Sequence, residues 1–461
     1  MASADDSPKP PHGHLARGLA LMALAVFSGA LAGLGSAGLH LLLGLLHNLF
    51  LLGHFDVQYD LRLHTPPSPW GAWVVLAPVA GGLLALILTR RFAPESQGAG
   101  VPDVLVSIFH RRGHVRPGNA FFQLVATALT IGSGGSAGRE GPSMHIGAAL
   151  ASAVAHFLRL PNRSYIALVA CGSAAAVAAT FNAPFGAALF VLEIAALEWS
   201  LPFVLAVLLA ALTGTQVAHL FFGDFRLLPP GLAAHATPGD WWSFPLLGVL
   251  TAGAAWVLIV VIGKCRNAMA RIPGGPYLWH AVAMLAVGEL IYAFHLRTGV
   301  YAVSGVGFAT LGELAGGAVF PIGLLLALFT AKFLATALTL GTGGSGGIVS
   351  PALFTGAALG ALLAAAANAA GIPASPALWA LAGMGGVMAA ATGSILGATI
   401  MILEITGRLE MAAPVLLTAI VAYVARRLLL PQSAYTYPLA GGPTPVPENA
   451  YARAWRTWRR R

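Results

Sequence analysis

Several apolar runs long enough to cross a lipid bilayer constrain this chain more than any other feature. These runs cover residues 18–52, 71–89, 201–222, 243–263 and 411–430. A spanning helix needs about 20 apolar residues because the hydrocarbon core is about 30 Å thick. Only 9% of the residues are charged, whereas soluble domains carry about 25%. We therefore predict an all-α polytopic membrane protein and exclude a soluble enzyme, a disordered chain and a coiled coil.

Other apolar stretches are interrupted by glycine and proline. Between residues 121 and 197 the interruptions are GSGGSAGREGP, LPNRS and FNAP, and between 316 and 405 they are GTGGSGGIVSP, GIPASP and ATGS. Irregular backbone at membrane depth is tolerated only where protein or a water-filled cavity satisfies it. Paired interruptions in two halves therefore indicate a transporter-type binding site near the middle of the membrane.

The interrupted stretches also contain an internal repeat. Residues 132–150 (GSGGSAGREGPSMHIGAAL) match 341–359 (GTGGSGGIVSPALFTGAAL), and 183–194 (APFGAALFVLEI) match 394–405 (SILGATIMILEI). The two offsets are nearly equal, so the repeat indicates a duplicated fold. It is compatible with parallel or inverted halves, and both arrangements place the site where the halves meet.

The basic residues lie near the chain ends and in short loops, and the net charge is +9. Cytoplasmic loops of membrane proteins carry Lys and Arg, so we predict that both termini are cytoplasmic and expect no nucleic-acid partner. The first apolar run is too long for a cleaved signal peptide. The predicted organisation is an N-terminal tail (1–17), a membrane domain (18–430, with halves 18–222 and 241–430) and a short basic tail (431–461).

The GREGP segment carries the strongest chemical signal. Arg139 and Glu140 lie between apolar stretches, where a charge costs about 2.5–3.5 kcal/mol. Gly138 and Gly141 allow close approach of backbone to a ligand, and Pro142 suits the first turn of a helix. The free N–H groups at the start of that helix would form an anion site.

The repeat-related segment from Gly346 to Pro351 predicts a second helix start without a charged residue. Two such ends would hold a small anion without a formal cation, which suits conduction because the anion can leave. Glu140 would occupy the site when ionised and vacate it when protonated, as a pH-sensitive gate. The alternative is an Arg139–Glu140 pair that only ties helices together, although adjacent residues project to different sides of a helix.

Other patterns have structural explanations. Residues 341–346 fit G-x-G-x-x-G, but they lack the preceding strand and the later acid of a dinucleotide site. Glu193 and Glu404 end repeat-related apolar segments, which favours a role in capping partner helices. The tyrosines of SAYTYPL (433–439) suit a membrane interface. We found no metal-ligand spacing and no catalytic dyad, so a membrane-embedded enzyme is not expected.

These motifs resemble those of the CLC family of chloride channels and proton-coupled chloride exchangers. The matching segments are GAGVP (98–102), GREGP (138–142), FNAP (181–184), GGIVSP (346–351), LEIT (403–406) and SAYT (433–436). The resemblance implies two inverted halves with about 18 helices of mixed length, many of them broken or re-entrant. It also implies a homodimer in the lipid bilayer of a prokaryote-like cell (inner) membrane, with one pore per subunit and no regulatory domain.

The resemblance further implies roles for individual residues. Glu140 corresponds to the external gate and proton site. The transported chloride, for which no cofactor is needed, would meet the backbone of Ile348 and Val349 and the hydroxyl of Tyr435. Ala99 is a further anion-binding position, and the loops around the anion would be those of Gly98, Gly100, Gly138, Arg139, Gly141 and Gly347.

Three positions depart from the family pattern. Ala99 replaces a pore serine, Val349 replaces a phenylalanine, and Ile194 replaces the inner proton-transfer glutamate of the exchangers. Because Ile cannot carry a proton, we expect passive, channel-like anion flow. The alternative is a chloride/proton antiporter, and fluoride or nitrate transport is a minor alternative.

Overall fold

A computed structural model describes residues 12–94, 100–195, 197, 199–224, 226–228, 236, 238–269, 275–447 and 449–452. These residues form sixteen α-helices and, within the described ranges, no β-strand apart from one isolated two-residue bridge. The prediction of an all-α chain is confirmed.

Eight α-helices precede residue 223 and eight follow residue 242. The first eight are α1 (His12–His47), α2 (Ala77–Phe92), α3 (Gly100–His110), α4 (Pro117–Gly132), α5 (Glu140–Phe157), α6 (Asn162–Phe181), α7 (Pro184–Ile194) and α8 (Leu201–Phe222). The others are α9 (Ser243–Met269), α10 (Gly275–Thr298), α11 (Phe308–Gly316), α12 (Ile322–Gly341), α13 (Val349–Ala369), α14 (Pro376–Thr392), α15 (Leu396–Thr406) and α16 (Ala412–Leu429). Short turns extend them: a π-helical turn (Asn48–Leu52) and 3₁₀ segments (Gly71–Leu76, Pro238–Asp240, Leu409–Met411 and Tyr437–Leu439).

Nine helical stretches in the described chain are long and apolar enough to span a membrane. Five coincide with the runs predicted from sequence. The sequence did not single out the other four as spans: Asn162–Phe181, Gly275–Thr298, Ile322–Gly341 and Val349–Ala369. These four lie in stretches that contain glycine, proline or charged residues, which interrupt or shorten the apolar pattern.

Several helices are too short to cross the bilayer. Helices α3, α7 and α15 have 11 residues each, which gives a length of about 16 Å at 1.5 Å per residue. The break before α7 illustrates the cause. Asn182 adopts a left-handed conformation with φ of 54°, and Pro184 begins the next helix. The FNAP segment therefore ends one helix and starts another inside the protein.

The two halves contact each other through reciprocal pairs. The Ser136 hydroxyl bonds that of Thr336, and its N–H donates to Thr339 Oγ1, at 2.8 and 3.2 Å. The repeat-related Ser345 makes the same two contacts with Thr127 and Thr130 at the same distances. Reciprocal contacts of this kind identify a two-fold relationship.

The same relationship governs helix packing within each half. Helices α5 and α6 approach closely at Gly147 and Gly172, where a Cβ on either glycine would overlap the backbone of the other. Their counterparts Gly356 and Gly383 bring α13 and α14 together in the same way. Small residues allow such close approach between membrane helices. Each half therefore contains one closely packed helix pair, α5 with α6 in the first half and α13 with α14 in the second.

Candidate functional site

The starts of α5 and α13 meet at the centre of the protein. The N–H of Gly138 donates to the carbonyl of Gly347 at 2.8 Å, and the N–H of Gly347 donates to the carbonyl of Gly138 at 2.6 Å. This antiparallel bridge joins the two GREGP-related segments immediately before their helices begin. The predicted pair of facing helix starts is therefore present.

Glu140 lies at this junction with 1% of its surface exposed. Its Oε1 accepts a hydrogen bond from the N–H of Val349 at 2.6 Å, and the Ser350 hydroxyl lies 3.5 Å from its Oε2. Glycine at residue 347 leaves room for this side chain, because a Cβ there would overlap the Glu140 carboxylate in its present position. The carboxylate of one half thus occupies the helix start of the other, where backbone N–H groups and the helix dipole favour an anion.

A cavity of about 390 Å³ opens beside this junction. The first residue of α3, Gly100, contributes to its wall together with Gly141, Gly347 and Ile348. Tyr435 and Arg266 also line it. The cavity therefore brings together predicted site residues from both halves and from the segment after α16.

Tyr435 reaches this cavity although it follows the last spanning helix. Only 5% of its surface is exposed, and its hydroxyl has no hydrogen-bond partner among the described residues. Its ring packs edge-on against Phe190 of α7, with 6.3 Å between ring centroids. A buried hydroxyl normally finds a partner, so this hydroxyl is available to a ligand in the cavity.

A family profile for the voltage-gated chloride channel matches residues 81–427, about three quarters of the chain. The chain belongs to this family. It is 31% identical over 288 residues to the H(+)/Cl(-) exchange transporter ClcA of Yersinia pestis, a match covering 60% of this chain and 58% of that protein. It is 29% identical over 293 residues to ClcA of Cronobacter sakazakii, covering 61% of each chain. The chain thus spans about three fifths of these curated relatives.

Solved CLC structures share the fold. The structure of a slow cyanobacterial Cl⁻/H⁺ antiporter superposes with a TM-score of 0.76 and 22% identity, over 94% of this chain and 98% of that one. A CLC-type fluoride/proton antiporter superposes with a TM-score of 0.72 and 22% identity, over 93% and 99% of the two chains. The CLC-type fold predicted from sequence is therefore confirmed.

The Arg139 side chain points away from the cavity beside Glu140. Its guanidinium bonds His40 Nδ1 at 2.9 Å and donates to the carbonyl of Thr180 at 2.7 Å. It also lies over the ring of Phe308, 5.7 Å from the centroid. The alternative of a tie between Arg139 and Glu140 is not supported, because these partners fix Arg139 to other helices.

The loop after α1 covers the membrane face next to Arg139. Tyr59 stacks on His47 with 3.9 Å between ring centroids, and burial raises the pKa of its phenol. On the same loop, hydrogen bonds from Arg62 lower the pKa of the Asp60 carboxyl. The stacking of Tyr59 on His47 holds the loop against the end of α1, and the Asp60–Arg62 bonds stabilise the loop internally.

Ile194 is buried at the end of α7, with 1% exposed. The neighbouring Glu193 is fully buried and bonds the N–H groups of Leu396 and Gly397 at the start of α15, each at 2.9 Å. The predicted capping of a partner helix by Glu193 is confirmed. The predicted loop residue Gly98 and the predicted anion-binding residue Ala99 lie outside the described residues.

A buried cation was missed from sequence. Lys332 of α12 has no exposed surface, and its Nζ donates to the carbonyls of Val303 and Gly305 at 3.1 and 2.6 Å. The ammonium also lies 5.2 Å from the centroid of the Phe354 ring. A single charge inside a 20-residue apolar stretch could have drawn attention to it, since ionisable residues in spans are costly.

Proposed function

We propose that this protein exchanges chloride for protons across the membrane, with Glu140 as the group that links the two ions. The observation that carries the proposal is the hydrogen bond from the Val349 N–H to the Glu140 carboxylate. A carboxylate held by a helix start is a tethered equivalent of a free anion. Chloride and the ionised side chain would therefore compete for the same N–H groups.

Protonation resolves that competition. The neutral acid loses its attraction to the helix dipole and releases the N–H groups to chloride. The anion in this position would be held by the backbone at Ile348 and Val349, with the free hydroxyl of Tyr435 as a further donor. Hydrogen bonds from neutral groups hold the anion loosely enough for it to leave.

The exchange mode is supported by the names of the relatives, since the curated proteins that match are H(+)/Cl(-) exchange transporters. This supports the antiporter at least as well as the channel-like flow that we expected from sequence. Passive chloride flow is the second candidate, and the apolar Ile194 favours it.

A flux measurement on purified protein in liposomes tests the proposal. Vesicles loaded with chloride are diluted into low-chloride buffer, valinomycin releases the potassium counter-flux, and electrodes follow external chloride and pH. Protons that move uphill in fixed ratio to chloride support exchange. Chloride efflux with a flat pH trace would overturn exchange in favour of the channel. Repeating the assay with fluoride and nitrate identifies the preferred anion.

We further propose that the protein is a homodimer of a cell inner membrane with both termini in the cytoplasm. The cluster of basic residues at the C-terminal end of the chain supports this orientation. Light scattering in detergent tests the dimer, and accessibility of a cysteine introduced near residue 445 in inside-out vesicles tests the orientation. A monomer, or labelling only from the opposite side, would contradict these assignments.

A further inference from the structure

Proton exchange requires a route between Glu140 and the membrane face at which α16 ends. Ile194 cannot provide it, because its side chain has no ionisable group. The adjacent Glu193 is the one fully buried carboxylate in the described part of α7, and it lies on the same side of the protein as the segment after α16. Its surroundings differ from those of its repeat-related counterpart, Glu404.

Glu193 and Glu404 share one set of contacts and differ in another. Each accepts two backbone N–H bonds from the start of the partner helix. Glu193 alone also accepts two hydroxyls, from Ser394 at 2.5 Å and from Tyr451. Helix capping does not require these hydroxyls, because Glu404 caps its partner helix without them.

The hydroxyl contacts have a chemical consequence. A backbone N–H can only donate, so it can bond a carboxylate oxygen but cannot accept the proton of a carboxylic acid. A hydroxyl can rotate to donate or accept. The hydroxyls of Ser394 and Tyr451 can therefore bond Glu193 in both its ionised and its protonated form.

Hydrogen bonds of Asn449 fix the segment after the last span, and this segment places Tyr451 against Glu193. Asn449 is fully buried, and its Nδ2 donates to the carbonyl of Gly393 at 2.6 Å. Its Oδ1 accepts from the Tyr423 hydroxyl at 3.2 Å and from the N–H of Ala452 at 2.9 Å. Tyr451 itself is partly exposed. The Tyr451 side chain thus lies between the surface of the described chain and a carboxylate that has no exposed surface.

The part of α7 that precedes Glu193 approaches the anion cavity through Phe190. Phe190, one helical turn earlier on α7, packs against the ring of Tyr435. Tyr435 lines the cavity that extends to Gly141, the residue after Glu140. Glu193 therefore lies one turn of helix from a residue that packs against the wall of the predicted anion site.

We propose that Glu193 is the inner proton-transfer residue of this protein, and that the Tyr451 hydroxyl connects it to water. A hydronium ion would give a proton to the Tyr451 oxygen while the phenolic proton passes to Glu193 Oε1. The products are water, an intact phenol and a carboxylic acid. This inference rests on the proposed exchange function and assigns its proton site to a residue next to the position that Ile194 occupies.

Three variants test the assignment in the liposome flux assay. Glu193→Gln keeps an acceptor for one of the two N–H groups but cannot carry a proton. Glu404→Gln is the matched control, because the two N–H groups at that cap are likewise divided between the two carboxylate oxygens. Tyr451→Phe removes only a hydroxyl. We expect the proton-to-chloride ratio to fall at least about tenfold in Glu193→Gln, since removing a proton-transfer group costs about 10²–10⁴ in rate. We expect a several-fold fall in Tyr451→Phe and no change in Glu404→Gln.

The outcomes separate this inference from the proposed function. If the unmodified protein moves chloride without protons, exchange and the inference both fail. If it is an exchanger and Glu193→Gln keeps the full ratio, only the assignment of Glu193 fails. If Glu193→Gln does not fold, Tyr451→Phe decides, and an unchanged ratio in that variant overturns the inference. An equal loss in Glu404→Gln would mean that the cap, and not proton transfer, controls coupling.

Discussion

Glu193 and Glu404 each cap the helix that carries the other. Glu193, near the end of α7, accepts N–H bonds from the start of α15, and Glu404, near the end of α15, accepts N–H bonds from Phe185 and Gly186 at 3.0 and 2.7 Å. This exchange requires α7 and α15 to run in opposite directions. Since a two-fold axis relates them, the axis lies across the helices, and the two halves have inverted topology.

The two caps differ in their contribution to stability. Glu404→Ala removes two N–H bonds from a half-buried cap and should lower the free energy of unfolding by about 1 kcal/mol. Glu193→Ala also leaves two hydroxyls in a buried site without their acceptor, which should cost about 2–3 kcal/mol. Thermal unfolding in detergent, with exposed Glu410→Ala as the control, measures both. Equal losses would mean that the hydroxyls of Ser394 and Tyr451 find other partners.

Chloride flux should depend on pH through Glu140. Because the ionised carboxylate holds the Val349 N–H, flux should rise as pH falls and the acid form becomes populated. Glu140→Gln mimics the neutral acid, so its flux should be high and independent of pH. Flux from liposomes between pH 4 and 8 measures this, and Glu410→Gln should retain the normal profile. Abolished flux in Glu140→Gln would contradict the gate assignment.

Anion affinity should depend on the hydroxyl of Tyr435. Tyr435→Phe removes one hydrogen bond to the anion and breaks none within the described protein, since this hydroxyl has no partner there. We expect chloride affinity to fall about fivefold, corresponding to about 1 kcal/mol, with no change in unfolding temperature. Calorimetric titration with chloride measures the change, and exposed Tyr277→Phe is the control. A destabilised protein with normal affinity would make Tyr435 a packing residue.

Lys332 should hold the loop before α11. Lys332→Met keeps the length of the side chain but removes the donor to the carbonyls of Val303 and Gly305. Loss of a hydrogen bond to a charged group costs about 1.5–3 kcal/mol, so unfolding should occur at lower temperature and amide exchange in residues 299–307 should accelerate. Lys332→Arg retains a donor and should show a smaller effect. Unchanged exchange in Lys332→Met would mean that other contacts hold this loop.

The sequence was most informative where residues that shape the backbone and a residue that carries the proposed function occur in the same motif. Both helix starts at the centre could be predicted because glycine, proline and Glu140 occur in a short motif that is duplicated. The repeat itself does not give the direction of the second half, because a repeat in sequence is the same for parallel and inverted halves, and only the resemblance to the CLC family implied inversion. The reciprocal caps of Glu193 and Glu404 settle the direction, because they require α7 and α15 to run in opposite directions.

Sequence patterns did not predict the contacts between residues that are far apart in the chain. Tyr451 follows Glu193 by more than 250 residues and belongs to no motif. The burial of Lys332 was not predicted from its otherwise apolar span. Its ammonium donates to carbonyls of a distant loop, so no acid on the same helix indicates a partner. In each case the partner is determined by packing in three dimensions and leaves no periodic signal.

The bridge between Gly138 and Gly347 means that the candidate anion site belongs to neither half alone. Each half supplies one helix start and one residue of the bridge, and the second half supplies the Val349 N–H that bonds the Glu140 carboxylate of the first. A chain of half this length could build the same centre only if two copies met after entering the membrane in opposite orientations. Fusion of the halves removes that requirement by fixing one copy of each orientation in every molecule.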